Sequence, residues 1–276
     1  LVGYTGPIDR QELIELEPEG YLRDDVIGKD GVGGSYEEEL GGTYGTQLVE
    51  RDASGRVLRV LETVREPEPG KNLMLTVDAR TQRLATRALI WGREAANVSQ
   101  GVTIVMNPQT GEILAMVSLP AYDNNKFATG ISAEDYNIYL ADPARPLRNH
   151  AISDIYPPGS TYKLVTGIAA MEEGVTTAGR QWPTYGCYQI PGAPDGECLF
   201  DWNRQGFGPL DMVGAFAHSS DTFFYQMAVH TGIDPLAEWA HDLGFGERSG
   251  IRLPGEEAGI IASTEWAREQ GRSGVF

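Results

Sequence analysis

The sequence predicts a mixed α/β (α+β) fold in two parts: a smaller, irregular, β-rich domain over residues 1–70 and a larger domain over residues 71–276. Three observations carry this. The length of 276 residues accommodates two domains. The run Glu66-Pro67-Glu68-Pro69-Gly70 can continue neither a helix nor a central strand, so it marks a boundary. Beyond it, the hydrophobic pattern reads strand, helix, hairpin, which opens a sheet packed against helices rather than a helical bundle.

Before the boundary, Gly31, Gly33, Gly34, Gly41, Gly42 and Gly45 punctuate short segments, and Tyr36–Leu40 is a short helical candidate among them. The turn Asp52-Ala53-Ser54-Gly55 leads into a strand at Arg56–Leu61. After the boundary, Leu73–Val77 reads as a strand. Asp78 is placed to cap a helix whose apolar stripe is Leu84, Ala88, Leu89 and Trp91. Val102–Met106 and Ile113–Val117 read as strands joined by the turn Asn107-Pro108-Gln109-Thr110-Gly111. Residues 120–158 are loop-rich, with five prolines, and a helix follows from Ser160 to about Glu173, with Gly174 as its stop.

Composition narrows the function. Hydrophobic residues make up 41% of the chain, enough for a real core. With 22 Lys and Arg against 39 Asp and Glu, the net charge is −17, which repels nucleic acid and anionic membrane surfaces. The excess is concentrated at the start, where residues 1–70 hold 16 acidic and 7 basic side chains. No apolar run reaches the roughly 18 residues a membrane span needs. Cys187 and Cys198 lie close together in a Gly/Pro-rich stretch, where they either close a small disulfide loop or stay as two thiols.

Two short segments hold residues suited to chemistry. In Pro157-Pro158-Gly159-Ser160-Thr161-Tyr162-Lys163-Leu164, prolines and a glycine lead tightly into an apolar helix. Ser160 and Lys163 are three apart and share a face. A neutral lysine beside a serine hydroxyl can accept its proton, and a helix N-terminus favours the negative charge that develops there. By itself Ser-x-x-Lys arises about once by chance in a chain of this length, as a capping serine and a solvated lysine. The second segment, His218-Ser219-Ser220-Asp221-Thr222-Phe223-Phe224-Tyr225, gives the first its weight. Ser219 is suited to relay a proton to a leaving amine. Asp221 is suited to orient Lys163, with Tyr162 and Leu164 expected to bury the lysine stem, and to hold a substrate backbone. The plain alternative is a pair of N-cap serines before a helix carrying Phe223, Phe224, Met227 and Ala228.

The stretches Pro146–Ala151 and Tyr156–Lys163 closely resemble class B penicillin-binding proteins, as does Ile104–Ser118 followed by Tyr122-Asp123-Asn124-Asn125. Ile27–Gly31 and Ser35–Gly42 resemble the non-catalytic, dimerisation-type pedestal domain of the same family. The run Ser219-Ser220-Asp221-Thr222-Phe223-Phe224-Tyr225, with aspartate rather than asparagine at its third position, resembles the cell-elongation branch, the penicillin-binding protein 2 type. The resemblance implies a penicillin-binding/β-lactamase-like transpeptidase domain at 71–276. It also implies a D,D-transpeptidase that cross-links peptidoglycan stem peptides ending in D-Ala-D-Ala and is acylated by β-lactams. Ser160 would be the nucleophile, Lys163 the general base, Ser219 the relay and Asp221 the positioner, with Ser160, Ser219 and Asp221 also binding substrate. Implied partners are a membrane glycosyltransferase and elongation-complex scaffold proteins, with no nucleic acid and no cofactor. The implied location is the cell membrane, through one N-terminal anchor, with the domains outside the cytoplasm.

One departure stands out. The third family motif, Lys-Ser/Thr-Gly, has no counterpart, because the last lysine in the sequence is Lys163. Beside the family the chain therefore reads as truncated at both ends, its transpeptidase domain incomplete at the C-terminus, and this polypeptide alone is expected to be inactive or nearly so. Some elongation enzymes hold a metal between the first two motifs. Here the region Phe200–Asp211 offers Asp201 and Asp211 but no histidine, so no metal is expected, and Cys187 and Cys198 are expected to pair with each other. His150, His218, His230 and His241 show no ligand spacing. Two other readings share these residues: a penicillin-sensing receptor domain, and a non-catalytic scaffold of the elongation complex.

Overall fold

The computed structural model describes residues 1–128, 130–190 and 198–272, and the chain divides into two compact units. The first comprises Leu1–Asp154 with Ile251–Glu256. The second comprises Ile155–Gly250 with the chain from Glu257 on.

In the first unit, strands Thr5–Pro7 and Val26–Gly28 pair antiparallel around the helix Arg10–Leu16. That helix begins with a reciprocal cap: Asp9 accepts the backbone N–H of Gln11 and Glu12, while Glu12 accepts that of Asp9. The start of the chain lies tightly against the loop after Gly28, since a Cβ on Gly3 would stand 1.7 Å from the Asp30 carbonyl oxygen. The short helix Glu37–Leu40 falls within the expected segment. Strand Val57–Arg65 pairs with Thr46–Arg51, a partner the sequence reading lacked. Asp52 accepts the N–H groups of Ser54 and Arg56 in the turn between them.

Leu73–Val77 does not form a strand. Only the end of the segment touches the neighbouring hairpin, where Thr76 donates to the Ile113 carbonyl at 2.7 Å and the Asp78 N–H to Leu114 at 3.0 Å. Met74 is almost fully exposed while Leu73, Leu75 and Val77 are each partly covered, so this apolar run packs in part without a ladder partner among the described residues. Asp78 does cap the helix Ala79–Ala96 by accepting from Thr81 N–H. The packed face of that helix differs from the expected stripe. Leu84 and Trp91 are exposed, and Gln82, Ala85 and Leu89 face the hairpin Gly101–Met106/Ile113–Leu119. Ala85 and Leu89 pack on Ala115, Val117, Val105 and Leu119. The Gln82 amide pairs with both backbone groups of Met116, at 2.8 and 2.9 Å, and so substitutes for a neighbouring strand.

The second unit carries a short 3₁₀ turn, Gly159–Tyr162, that runs directly into the helix Lys163–Glu172. Gly174 follows in the left-handed region at φ +71° and ends the helical path. Helix Met212–His218 is capped by Asp211, and helix Asp221–Thr231 by Ser220. Ala170, Met212, Ala215, Phe223, Phe224 and Met227 form the core between them. Gly167 permits the close approach, because a Cβ there would meet the Phe216 ring at 2.9 Å. The unit also holds two small antiparallel ribbons, Trp182–Thr184 with Gly208–Leu210 and Cys187–Gln189 with Cys198–Phe200, and the helices Ile233–Asp242 and Thr264–Glu269.

Candidate active site

The helix at Lys163 and the junction between helices Met212–His218 and Asp221–Thr231 bring four expected residues together. Gly159 takes φ +55°, a conformation open to glycine, and turns the chain so that Ser160 stands exposed at the start of the helical path. Thr161 ties the turn by donating to the Pro158 carbonyl at 2.6 Å. One short turn later, Lys163 is buried. Its Nζ lies 2.6 Å from Asp221 Oδ1, 2.7 Å from the Ser219 carbonyl oxygen and 3.0 Å from Ser219 Oγ. As an ammonium, the group matches each of its three N–H bonds to one of these acceptors. Ser219 Oγ in turn lies 3.1 Å from Ser160 Oγ. The two serine hydroxyls and the lysine thus form a continuous hydrogen-bonded path from an exposed oxygen to a buried nitrogen.

The lysine environment differs from expectation in one respect. Leu164 points outward, 59% exposed, because the residue after Lys163 lies on the opposite side of the helix from the core. The aromatic neighbour is Phe224, whose ring centroid is 5.7 Å from Lys163 Nζ. Tyr162 is half-buried and packs edge-on to Phe245.

Ser219 is not an N-cap. It is the left-handed residue, at φ +50° and ψ +42°, that closes helix Met212–His218, and Ser220 alone caps the next helix, accepting from Phe223 N–H. The four residues Ser219–Thr222 therefore alternate in direction. Ser219 and Asp221 reach Lys163, whereas Ser220 and Thr222 turn inward to Asp201.

Asp201 is the residue that sequence reasoning considered only for metal binding. It is 1% exposed, and its Oδ2 accepts from Ser220 Oγ at 2.8 Å, Thr222 Oγ1 at 3.0 Å and Thr222 N–H at 3.1 Å. Burial pushes its carboxyl pKa up, but these hydrogen bonds outweigh that and hold it below the usual carboxylate value. Asp211 serves as a helix cap. Among the described residues, no group of three or more His, Cys, Asp or Glu gathers as a metal site.

Cys187 and Cys198 are bonded to each other, with their Cα atoms 5.8 Å apart; residues 191–197 of the intervening loop lie outside the described residues. His150 is fully buried in the first unit between Asp154 Oδ2 and the Ala144 carbonyl. His218 stacks on Phe207, and His230 lies against Trp182. A cavity of about 440 Å³ opens in the first unit between Gln82, Met116, Tyr122 and Arg148, with neither a serine–lysine pair nor a cysteine in its walls.

The chain is also similar to known proteins along nearly its whole length. Residues 101–274 match the penicillin-binding protein transpeptidase domain, and residues 1–75 match the penicillin-binding protein dimerisation domain. The chain is 35% identical, over 273 residues, to the peptidoglycan D,D-transpeptidase MrdA of Acinetobacter baumannii, covering 99% of this chain and 39% of that protein. The crystal structure of Pseudomonas aeruginosa PBP2 in complex with WCK 5153 superposes with a TM-score of 0.84 at 36% identity, over 100% of this chain and 55% of the other. PBP2 of Helicobacter pylori, in its complex with MreC, superposes with a TM-score of 0.87 at 27% identity, over 100% of this chain and 49% of the other. The chain spans about two fifths of the length of the curated relatives it matches.

Proposed function

The chain belongs to the penicillin-binding protein transpeptidase family, and on that premise we propose that its protein is an elongation-type peptidoglycan D,D-transpeptidase working through an acyl-enzyme on Ser160. The observation that carries this reading is the path Ser160 Oγ, Ser219 Oγ, Lys163 Nζ, with steps of 3.1 and 3.0 Å. In the first half-reaction Ser160 Oγ attacks the carbonyl carbon of the penultimate D-Ala of a stem peptide. Its proton passes through Ser219 to deprotonated Lys163. The peptide C–N bond then breaks, and the terminal D-Ala leaves as an amine carrying the proton returned along the same path. In the second half-reaction an amine of a neighbouring stem attacks the acyl carbon, and Ser160 regains its proton. Asp221 holds the lysine in register throughout, since its carboxylate, 2.6 Å from Nζ, accepts a hydrogen bond from the neutral amine and pairs with the ammonium.

In this proposal residues 1–70 are the pedestal and residues 71–276 belong to the catalytic domain. The family matches at 1–75 and 101–274 support that division. The partners proposed are D-Ala-D-Ala stem peptides, β-lactams acting as their mimics, a membrane glycosyltransferase and elongation-complex scaffold proteins. The MreC complex of the Helicobacter pylori relative supports the last of these. The proposed location is outside the cytoplasm at the cell membrane. The Cys187–Cys198 bond suits that oxidising side, and no described helix is long and apolar enough to cross a membrane.

The test is fluorescent-penicillin labelling of the full gene product in membranes. Label should be lost in Ser160→Ala and strongly slowed in Lys163→Ala. Persistent labelling of Ser160→Ala, traced by peptide mapping to another serine, overturns the assignment.

A further inference from the structure

We propose that Asp201 is a positioning residue for the reaction: from behind the turn it fixes the placement of Ser219 and Asp221 against Lys163. The proposal rests on the acyl-enzyme reading above and adds a residue that touches none of the reacting groups.

The argument starts from the alternation in Ser219-Ser220-Asp221-Thr222. Two side chains of this turn serve the site, and the other two are wholly buried, Ser220 at 0% and Thr222 at 1% exposure. Buried hydroxyls need partners, and a single carboxylate oxygen supplies them. Asp201 Oδ2 accepts from the Ser220 hydroxyl, the Thr222 hydroxyl and the Thr222 backbone N–H. The last is a free donor in the first turn of helix Asp221–Thr231, so the carboxylate also meets the positive end of that helix. One anion thereby grips residues on both sides of Asp221, and one of them, Ser220, directly follows Ser219.

The grip is anchored. The Asp201 N–H donates to the Gly186 carbonyl at 3.0 Å, and the Thr222 hydroxyl, with one proton, shares it between Asp201 Oδ2 and the Tyr185 carbonyl, each 3.0 Å away. Both carbonyls belong to the segment leading into strand Cys187–Gln189, which the disulfide joins to strand Cys198–Phe200 just before Asp201. The backbone of Ser219 itself is held from the preceding helix, its N–H donating to Phe216 while the Ser220 N–H donates to Ala215, and from the site by Lys163 Nζ on its carbonyl. A left-handed non-glycine residue needs its surroundings to keep it there, and Asp201 supplies the hold on the far side. Displacing a relay hydroxyl by about 1 Å costs on the order of 10²-fold in rate.

The experiment measures penicillin acylation of the full gene product by stopped flow, resolving the prior binding constant, the acylation rate constant and the fraction labelled at saturation. Asp201→Ala is expected to lower the acylation rate constant about 10- to 100-fold, with binding and labelled fraction close to wild-type. Asp201→Asn, whose side-chain oxygen can accept the same hydrogen bonds, is expected to recover most of that loss. A merely structural role would lower the labelled fraction and the melting temperature but leave the rate constant of the folded molecules unchanged, and that result overturns the proposal. If Asp201→Ala does not fold, Ser220→Ala decides: the lost cap lowers its melting temperature, but at a labelled fraction close to wild-type its acylation rate constant should fall about 3- to 10-fold, and a wild-type rate constant overturns the proposal. No labelling of Ser160 in the wild-type protein overturns both the acyl-enzyme reading and this one. A labelled wild-type with equally fast Asp201→Ala overturns the positioning role alone.

Discussion

Replacing Ser219 separates its backbone role from its side-chain role. Its φ of +50° lies in the left-handed region, which costs an L-residue other than Asn or Asp roughly 1 kcal/mol and glycine almost nothing. Its hydroxyl meanwhile links Lys163 and Ser160. Ser219→Ala and Ser219→Gly both delete this half-buried hydroxyl, at a cost of about 0.5–1.5 kcal/mol for its hydrogen bonding. Only the glycine relieves the backbone. The glycine variant should therefore be more stable than the alanine variant by about 1 kcal/mol, the reverse of their usual order inside a helix. Both variants should acylate equally slowly, about 10²- to 10⁴-fold below wild-type, because both lack the relay. Urea denaturation gives the stability difference, and penicillin acylation gives the rate. An alanine variant as stable as the glycine variant would refute the strain argument. A glycine variant that acylates at the wild-type rate would refute the relay.

Met227→Ala should destabilise the second unit by about 2–5 kcal/mol, since the methionine is 0% exposed at the centre of its core, and denaturant melts check this. Joint replacement of Cys187 and Cys198 by serine should cost roughly 3 kcal/mol for a loop of this length, and unreduced peptide mapping that finds both thiols free in wild-type protein would refute the pairing. Asp201 predicts an acid limb. Against the effect of burial, hydrogen bonding holds its folded-state pKa below the ordinary aspartate value, so its ionisation stabilises the fold fully above about pH 4. That contribution is lost as pH falls through the lowered folded value. Wild-type should thus lose more stability than Asp201→Asn between pH 5 and pH 2, in roughly the span where the linkage relation places such losses, and parallel pH profiles would refute this.

Local signals made part of this structure legible in the sequence. The caps at Asp78 and Gly174, and the hairpin turn at Asn107–Gly111, are short-range chemistry, and the structure has helix ends and strands where they predict them. The reciprocal cap of Asp9 and Glu12 was equally local; its three-residue spacing was the signal for the helix Arg10–Leu16 inside a region that read as irregular. The apolar run Leu73–Val77 misled because a strand is defined by a partner, and periodicity says nothing of whether one is present. The stripe Leu84, Ala88, Leu89, Trp91 misled for a related reason. Helix Ala79–Ala96 meets its sheet through the small Ala85 and the amide of Gln82, and hydrophobicity does not rank either of those highest.

The site divides in the same way. Ser160 and Lys163 are three residues apart on one helical path, so their proximity follows from helix geometry alone. Their meeting with Ser219 and Asp221, more than fifty residues on, became legible through the resemblance to the penicillin-binding proteins, since local chemistry alone reads the second motif as a pair of capping serines. In the structure Ser219 instead closes one helix, and the turn it makes brings it and Asp221 to Lys163. Asp201 had no such signal, being a single acidic residue after a short strand. What pointed to it was a deficit rather than a motif. Ser220 and Thr222 alternate with the two site residues, and at the first turn of a helix that buries Phe223 and Phe224 their hydroxyls must point into the protein. Two buried hydroxyls and a free helix N–H require an acceptor, and an ionised carboxylate is the one side chain that can satisfy all three while donating nothing in return. The sequence thus implied that an inward-facing acceptor exists, and only the fold could say that residue 201 provides it.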